Sequence, residues 1–359
     1  VFPDFNADPN IPENYDFSWT DRYLEAINAV GAKIIYRLGY SYEDPPVHNV
    51  PPEDYGKWAS ICVHIIKHYN DGWADGYHYN IQYWEIWNEP DITQFWTGTA
   101  EEYYNLYEVT ARAIKAYDSS LKVGGPALAW DINFLNGFLD YCRGRGVPLD
   151  FVSWHIYSRS PYDIYLRSVV IRERLQAHGF QDVESLLTEW NIWPDGIMDI
   201  QTFRTVEAAA FDTSALIYLQ DSPPDIATFY RGDTSFWGGL FDWGGNPFKA
   251  YYAFKAFRML LDTPIRVFCN GSNEKGLAVI AGLSEDNQSA TILISNYDCE
   301  FNSYDINVLN LPWKEGQIRY EVYILDSSHN LELVRTFSEE ITSPNLLILL
   351  DVWVPSVYL

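Results

Sequence analysis

Between about residues 18 and 261 the apolar positions of this 359-residue chain switch repeatedly between two rhythms. Short apolar runs lie near residues 35, 85, 123, 153, 186 and 228, and predict buried strands over 33–39, 81–88, 121–126, 151–155, 184–188 and 226–230. Between them apolar residues recur at helical spacing, which predicts helices over 16–30, 51–69, 99–117, 132–145, 161–178, 203–219 and 247–261. Local signals agree. Pro51-Pro52-Glu53-Asp54 opens one helix ahead of Ile61, Ile65 and Ile66, and Thr99 with Glu102 three residues on is a capping box. Repeated strand–helix units predict a parallel sheet with helices outside. Six strands are visible, whereas a closed (β/α)₈ barrel needs eight. Residues 1–15, rich in Pro, Asn and Asp, read as a loop. The expected fold is therefore α/β, a TIM-type barrel whose first two strands are absent from this chain. An open doubly wound sheet is the competing topology, but its phosphate-binding glycine fingerprint is missing.

After Leu261 the rhythm becomes strand-like. Residues 276–283 and 290–295 flank Ser284-Glu285-Asp286-Asn287-Gln288-Ser289 in a hairpin pattern, and 319–325 and 346–354 also read as strands. This predicts a barrel domain over 1–261 and a β-sandwich accessory domain over 262–359.

Composition narrows the function classes. Hydrophobic residues make up 47% of the chain, enough for a large core, and no run approaches the ~20 apolar residues of a membrane span. A net charge of −25 argues against nucleic acid, anionic membranes and polyanionic substrates as partners, and favours a neutral small molecule or oligosaccharide. The 14 Trp, 27 Tyr and 19 Phe suit stacking on sugars, although most must fill the core. Cys62, Cys142, Cys269 and Cys299 show no metal spacing, and the seven histidines form no His-Glu-x-x-His pattern, so neither metal nor cofactor is expected. Cys62 and Cys142 read as buried thiols, while Cys269 and Cys299 could pair. Asn270-Gly271-Ser272 and Asn287-Gln288-Ser289 match the N-glycosylation pattern. The chain begins at Val1 with nothing resembling a signal peptide, so either a leader was removed or the chain starts inside a longer one. Secreted, periplasmic and cytoplasmic locations all stay open, as does the oligomeric state.

The chemistry concentrates in two places. Trp87-Asn88-Glu89-Pro90 closes the run from Ile81 to Ile86, and Glu189 follows Leu186-Leu187-Thr188 and precedes Trp190-Asn191. Each glutamate is expected to end a buried strand. Two carboxylates at the carboxyl ends of parallel strands are what a retaining glycosidase needs, one to protonate the leaving oxygen and one to attack the sugar carbon. The bland reading of Asn-Glu-Pro alone is a polar strand end before a turn; the second glutamate in matching context weighs against it.

Four motifs then follow in order: Trp87-Asn88-Glu89-Pro90, Gly124-Gly125-Pro126, Ser153-Trp154-His155-Ile156-Tyr157-Ser158 and Leu187-Thr188-Glu189-Trp190-Asn191. Together they resemble glycoside hydrolase family 39, the β-xylosidase and α-L-iduronidase family within the clan of retaining (β/α)₈ glycosidases. The resemblance covers roughly residues 14–261. It implies that Glu89, after the family's fourth strand, is the acid/base and that Glu189, on the seventh, is the nucleophile. It also implies that the first visible strand is the family's third.

A retaining mechanism needs the two carboxyl groups ~5–5.5 Å apart, with Glu89 protonated and Glu189 ionised. Asn88 is expected to contact the sugar 2-hydroxyl. His155 and Tyr157 are candidates to bond Glu189 or the sugar, against a structural role in the barrel rim. Tyr230, Trp190 and Trp237 are candidate sugar contacts, with core packing the competing role for the tryptophans. Arg37 points into the barrel or towards a carboxylate, and Glu85 reads as a partnered structural charge deeper in the barrel. A β-D-xyloside is the first substrate choice. β-Galactoside or α-L-arabinopyranoside cleavage competes closely, and an iduronidase would need Arg37, Arg159 or Arg231 to hold a carboxylate. Residues 91–98 bear on exo against endo action. The competing class is a carbohydrate-binding protein on an inactive glycosidase scaffold, and a purely structural module has no supporting feature.

Overall fold

The computed structural model describes residues 1–40, 42, 44–194, 199–234, 237–301, 303–352 and 354–359. Its first part alternates helix and strand: α1 (Ser18–Ala29), β1 (Ile35–Leu38), α2 (Tyr55–Asp71), β2 (Tyr83–Ile86), α3 (Ala100–Tyr117), β3 (Lys122–Leu128), α4 (Ile132–Arg145) and β4 (Phe151–Ser158). Then come α5 (Tyr162–Ala177), β5 (Glu184–Ile192), α6 (Val206–Leu219), β6 (Ile226–Ala227) and α7 (Lys249–Met259). Strands β1 to β6 follow one another in a single sheet in chain order, and the pairs from β1 through β4 are parallel. That is the α/β pattern expected from the alternating rhythm.

The strand ends differ from expectation at instructive places. β2 stops at Ile86 because Trp87 (φ 71°) and Glu89 (φ 45°) adopt left-handed backbone, which no ladder continues. Glu89 therefore stands in a turn beyond the strand rather than at its last position. β5 runs on to Ile192, so Glu189 lies inside its strand. β6 ends at Ala227, and Tyr230 follows in a loop whose N–H bonds the Trp190 carbonyl at 3.1 Å.

The chain falls into two compact units. The first comprises Val1–His155, Val170–Thr188 and Pro224–Ile226; the second comprises Ile156–Val169, Glu189–Pro223 and Ala227–Leu359. In the first unit three helices, α2, α3 and α4, are capped at their starts by their own side chains. Asp54 accepts from the Lys57 N–H to cap α2, and Thr99 and Glu102 form both halves of the capping box of α3. The core is unusually rich in rings: Trp84, Trp154, Tyr103, Tyr107, Phe138 and Phe151 are fully buried. Their polar tips are bonded, Tyr103 to the Ile86 carbonyl at 2.9 Å and Trp154 to Ser185 Oγ at 3.0 Å, so burial leaves no orphan donor there. Gly124 lets β3 approach β4, since a Cβ there would lie 2.3 Å from the Phe151 carbonyl oxygen.

The second unit holds the antiparallel part. β7 (Ile265–Val267), β8 (Leu277–Leu283), β9 (Ala290–Asn296), β10 (Ser303–Val308), β11 (Gln317–Leu325), β12 (Asn330–Glu340), β13 (Leu346–Asp351) and β14 (Ser356–Tyr358) form two sheets. One has the order β12-β11-β14-β9-β8-β7, and the other pairs β10 with β13. Ile294, Val322 and Tyr358 of the larger sheet share an apolar cluster with Leu350 of the smaller. Helix α6 lies against the larger sheet through small residues: Ala209 and Ala210 are fully buried, and Ser295 Oγ donates to the Ala210 carbonyl at 2.7 Å. Ser214 Oγ bonds the Gly276 carbonyl at 2.8 Å one turn later.

The suggested Cys269–Cys299 pairing is not formed. All four cysteines are free thiols, and Cys299 is buried with Asn273 Nδ2 donating to its sulfur at 3.4 Å. Burial also raises the thiols of Cys62 and Cys142 above their ordinary values, which keeps them protonated and unreactive.

Candidate active site

The turn after β2 presents Glu89. The Trp87 N–H bonds the Leu38 carbonyl at 2.8 Å, the Glu89 N–H bonds the Ala127 carbonyl at 3.2 Å, and Trp87 Nε1 bonds the Phe95 carbonyl at 2.9 Å. Left-handed backbone in two non-glycine residues out of three costs energy and persists only where the surroundings over-determine it. Gly39 makes room for this turn: at φ 115°, a Cβ on it would sit 2.9 Å from the Trp87 ring. Asp91 fixes the other side by accepting from the backbone N–H groups of Ala129, Trp130 and Asp131 at 2.7–2.9 Å. Asn88 is buried beside Glu89.

Glu89 belongs to a row of hydrogen bonds in the first unit. His155 Nδ1 lies 2.6 Å from Glu89 Oε1, and Arg37 Nη2 lies 3.1 Å from His155 Nε2. Arg37 Nε donates to Glu85 Oε2 at 2.5 Å, and Thr188 Oγ1 donates to Glu85 Oε1 at 2.8 Å. Arg37 thus points towards a carboxylate, that of Glu85, and Glu85 is the partnered buried charge expected of it.

Glu189 has different company in the second unit. Tyr157 Oη donates to Glu189 Oε2 at 2.6 Å. The Tyr157 ring lies 5.3 Å from Trp237, 6.3 Å from Tyr230 and 6.2 Å from Trp193. Trp237 and Tyr230 are half-buried. Of the two candidate tryptophans, Trp190 takes the core position: it is 1% exposed, with Phe229 at 5.0 Å and Phe254 at 6.3 Å. Of the arginines weighed for holding a carboxylate, Arg231 pairs with Asp233 at 2.5 Å and Arg159 donates to the Pro194 carbonyl at 3.1 Å.

Sequence reasoning passed over three contributors. Thr188 adjoins Glu189, and strict strand alternation would send the two to opposite faces, so nothing marked Thr188 as a partner of Glu85. Asp91 is an ordinary loop residue until its three backbone partners are seen. Trp193, just past β5, was one ring among many.

A parallel α/β sheet carrying a His-bonded glutamate after one strand and a Tyr-bonded glutamate on another fits the TIM-barrel glycosidases. The profile of Glycosyl hydrolases family 39 matches residues 7–195, more than half of the chain, and the chain belongs to that family. It is 33% identical over 177 residues to a β-xylosidase of Geobacillus stearothermophilus, covering 45% of this chain and 34% of that protein. It is 28% identical over 307 residues to a β-xylosidase of Caldicellulosiruptor saccharolyticus, covering 76% of this chain and 60% of that one. The chain thus spans about a third and three-fifths of the lengths of these curated relatives. Among solved structures, a glucosidase from Croceicoccus marinus superposes with a TM-score of 0.84 at 29% identity, covering 100% of this chain and 84% of that one. A monomeric β-xylosidase from Caulobacter crescentus CB15, at 19% identity and a TM-score of 0.74, covers 96% of this chain and 84% of its own, and speaks for the fold alone. No helix among the described residues is long and apolar enough to cross a membrane.

Proposed function

We propose that this protein is a retaining glycoside hydrolase acting on neutral β-glycosides, β-D-xylosides first. One observation carries the reading: both motif glutamates are buried and each is held at 2.6 Å by a side chain suited to its task, His155 on Glu89 and Tyr157 on Glu189. In this mechanism Glu189 attacks the anomeric carbon while Glu89 gives its proton to the leaving oxygen. Water then cleaves the glycosyl-enzyme with Glu89 as base. Tyr157 steadies the Glu189 carboxylate before attack. The reading requires the two carboxyl groups to stand ~5–5.5 Å apart. It further takes residues 1–261 as the catalytic part of a (β/α)₈ barrel completed by two more strands, and 262–359 as an accessory β-sandwich. Asn88 contacts the sugar 2-hydroxyl, and Tyr230 and Trp237 provide the apolar wall.

The arginines support a neutral sugar over an iduronide, because Arg37 and Arg231 already face carboxylates of the protein. The likeness to the Croceicoccus glucosidase makes glucosides the second choice. The test is nitrophenol release from aryl β-D-xyloside, β-D-glucoside, β-D-galactoside and α-L-arabinopyranoside, with Glu189→Ala as control. Turnover on one sugar that disappears in the variant supports the assignment. Sugar binding without turnover in a folded protein would replace it with a carbohydrate-binding role.

A further inference from the structure

We propose that Arg37 holds His155 in its neutral Nδ1–H tautomer and thereby leaves Oε2 of Glu89 as the oxygen that carries the transferable proton. This rests on the acid/base role proposed for Glu89. A guanidinium has only donors, so in the 3.1 Å contact between Arg37 Nη2 and His155 Nε2 the imidazole nitrogen must supply the lone pair. The ring proton then sits on Nδ1, and Nδ1–H donates to Glu89 Oε1 at 2.6 Å. An imidazolium would place a second N–H against the guanidinium, two donors and two positive charges face to face, around a histidine that is 1% exposed.

The rest of the row makes this arrangement affordable electrostatically. The Arg37 charge is balanced by Glu85, a carboxylate 1% exposed, and Glu85 fills its other oxygen with the Thr188 hydroxyl. Donors therefore run outward from Arg37 in both directions, to Glu85 on one side and through His155 to Glu89 on the other. With Oε1 occupied as an acceptor, the acid delivers its proton from Oε2. After transfer the His155 N–H still has a carboxylate to donate to, so the ring keeps its state through the cycle. His155 and Arg37 are in this account positioning residues. The ring neither stores nor relays the proton, because Nε2 is occupied.

Histidine-selective ¹⁵N NMR tests the tautomer directly, with the His155 signals assigned by their loss in His155→Asn. The expected pattern is a protonated Nδ1 beside a bare Nε2, in the resting protein at neutral pH. An Nε2–H tautomer or an imidazolium would overturn the proposal. This arm needs no turnover, so a protein that hydrolyses nothing would count against the glycosidase reading alone. Where turnover is found, Arg37→Met is expected to slow alkyl glycosides, which need the proton, roughly tenfold more than nitrophenyl glycosides, which need it little. Arg37→Lys, which keeps a donor, restores part of that gap, and KM changes little. Arg37→Met leaves Glu85 buried without its counter-charge, so Arg37→Met with Glu85→Gln is the second variant in case the single one does not fold. An equal loss on both leaving groups would reduce Arg37 to a packing role and refute the inference.

Discussion

The surroundings of Glu89 and Glu189 differ in kind. Glu89 stands on strained backbone and meets a nitrogen donor backed by a row of charges: His155, Arg37 and Glu85. Glu189 stands on regular strand backbone and meets a phenol set among aromatic rings. The same side chain is thus steadied on one side by a charge-balanced network and on the other by a neutral hydroxyl among rings. The lesson is that two identical residues acquire different tasks from their neighbours and from the backbone that carries them. A third carboxylate marks the limit. Asp212 on α6 is fully buried with neither oxygen bonded among the described residues, and burial raises its carboxyl well above the ordinary range. A carboxylate without a partner gives up its charge.

The carboxylate on the aromatic side matters most to turnover. Glu189→Ala is expected to lower turnover on aryl β-glycosides by on the order of 10⁴-fold or more, measured as nitrophenol release. Next in size is the ring behind it. Trp190→Ala should destabilise the fold by about 3–5 kcal/mol in urea unfolding, as expected of a core ring and unlike a sugar platform, whose loss would raise KM instead. The hydroxyl comes third. A hydrogen bond to a charged group is worth about 1.5–3 kcal/mol, so Tyr157→Phe should reduce kcat by about 10–100-fold with the melting temperature little changed.

Asp212 gives a weaker, pH-dependent signal. A native carboxyl that keeps its proton above the ordinary Asp value of 3.8 makes the folded state bind more protons than the unfolded chain. Stability from this group is then fully present at low pH and falls as pH climbs above that value. Asp212→Asn lacks the loss, so its stability relative to the natural protein should grow by about 1.4 kcal/mol per pH unit until the native carboxyl ionises. A pH-independent difference between the two would show that Asp212 is charged in the folded protein.

Much of this was legible in the residues. The rhythm of Ile81 to Ile86, the Thr99–Glu102 box and the run of 151–155 marked elements that the structure contains, because burial periodicity and capping are local properties. Glu89 and Glu189 stood out by context. What escaped was non-local or torsional. Nothing in Trp87-Asn88-Glu89 announces left-handed backbone, and Glu85, Arg37 and Thr188 find one another only through strand register, as when Arg37 pairs with Glu85 across β1 and β2. β12, with exposed polar residues along most of its length, carries too little apolar signal to be read as a strand. Cys269 and Cys299 suggested a bridge by location, and location alone says nothing about separation.

Gly39 limits how this chain can drift over generations. It bears no functional group, yet any side chain there would strike the indole that underlies the Glu89 turn. A saturation screen scored on turnover would rank it with the glutamates themselves, a position made intolerant of change by space and by its φ of 115° rather than by chemistry.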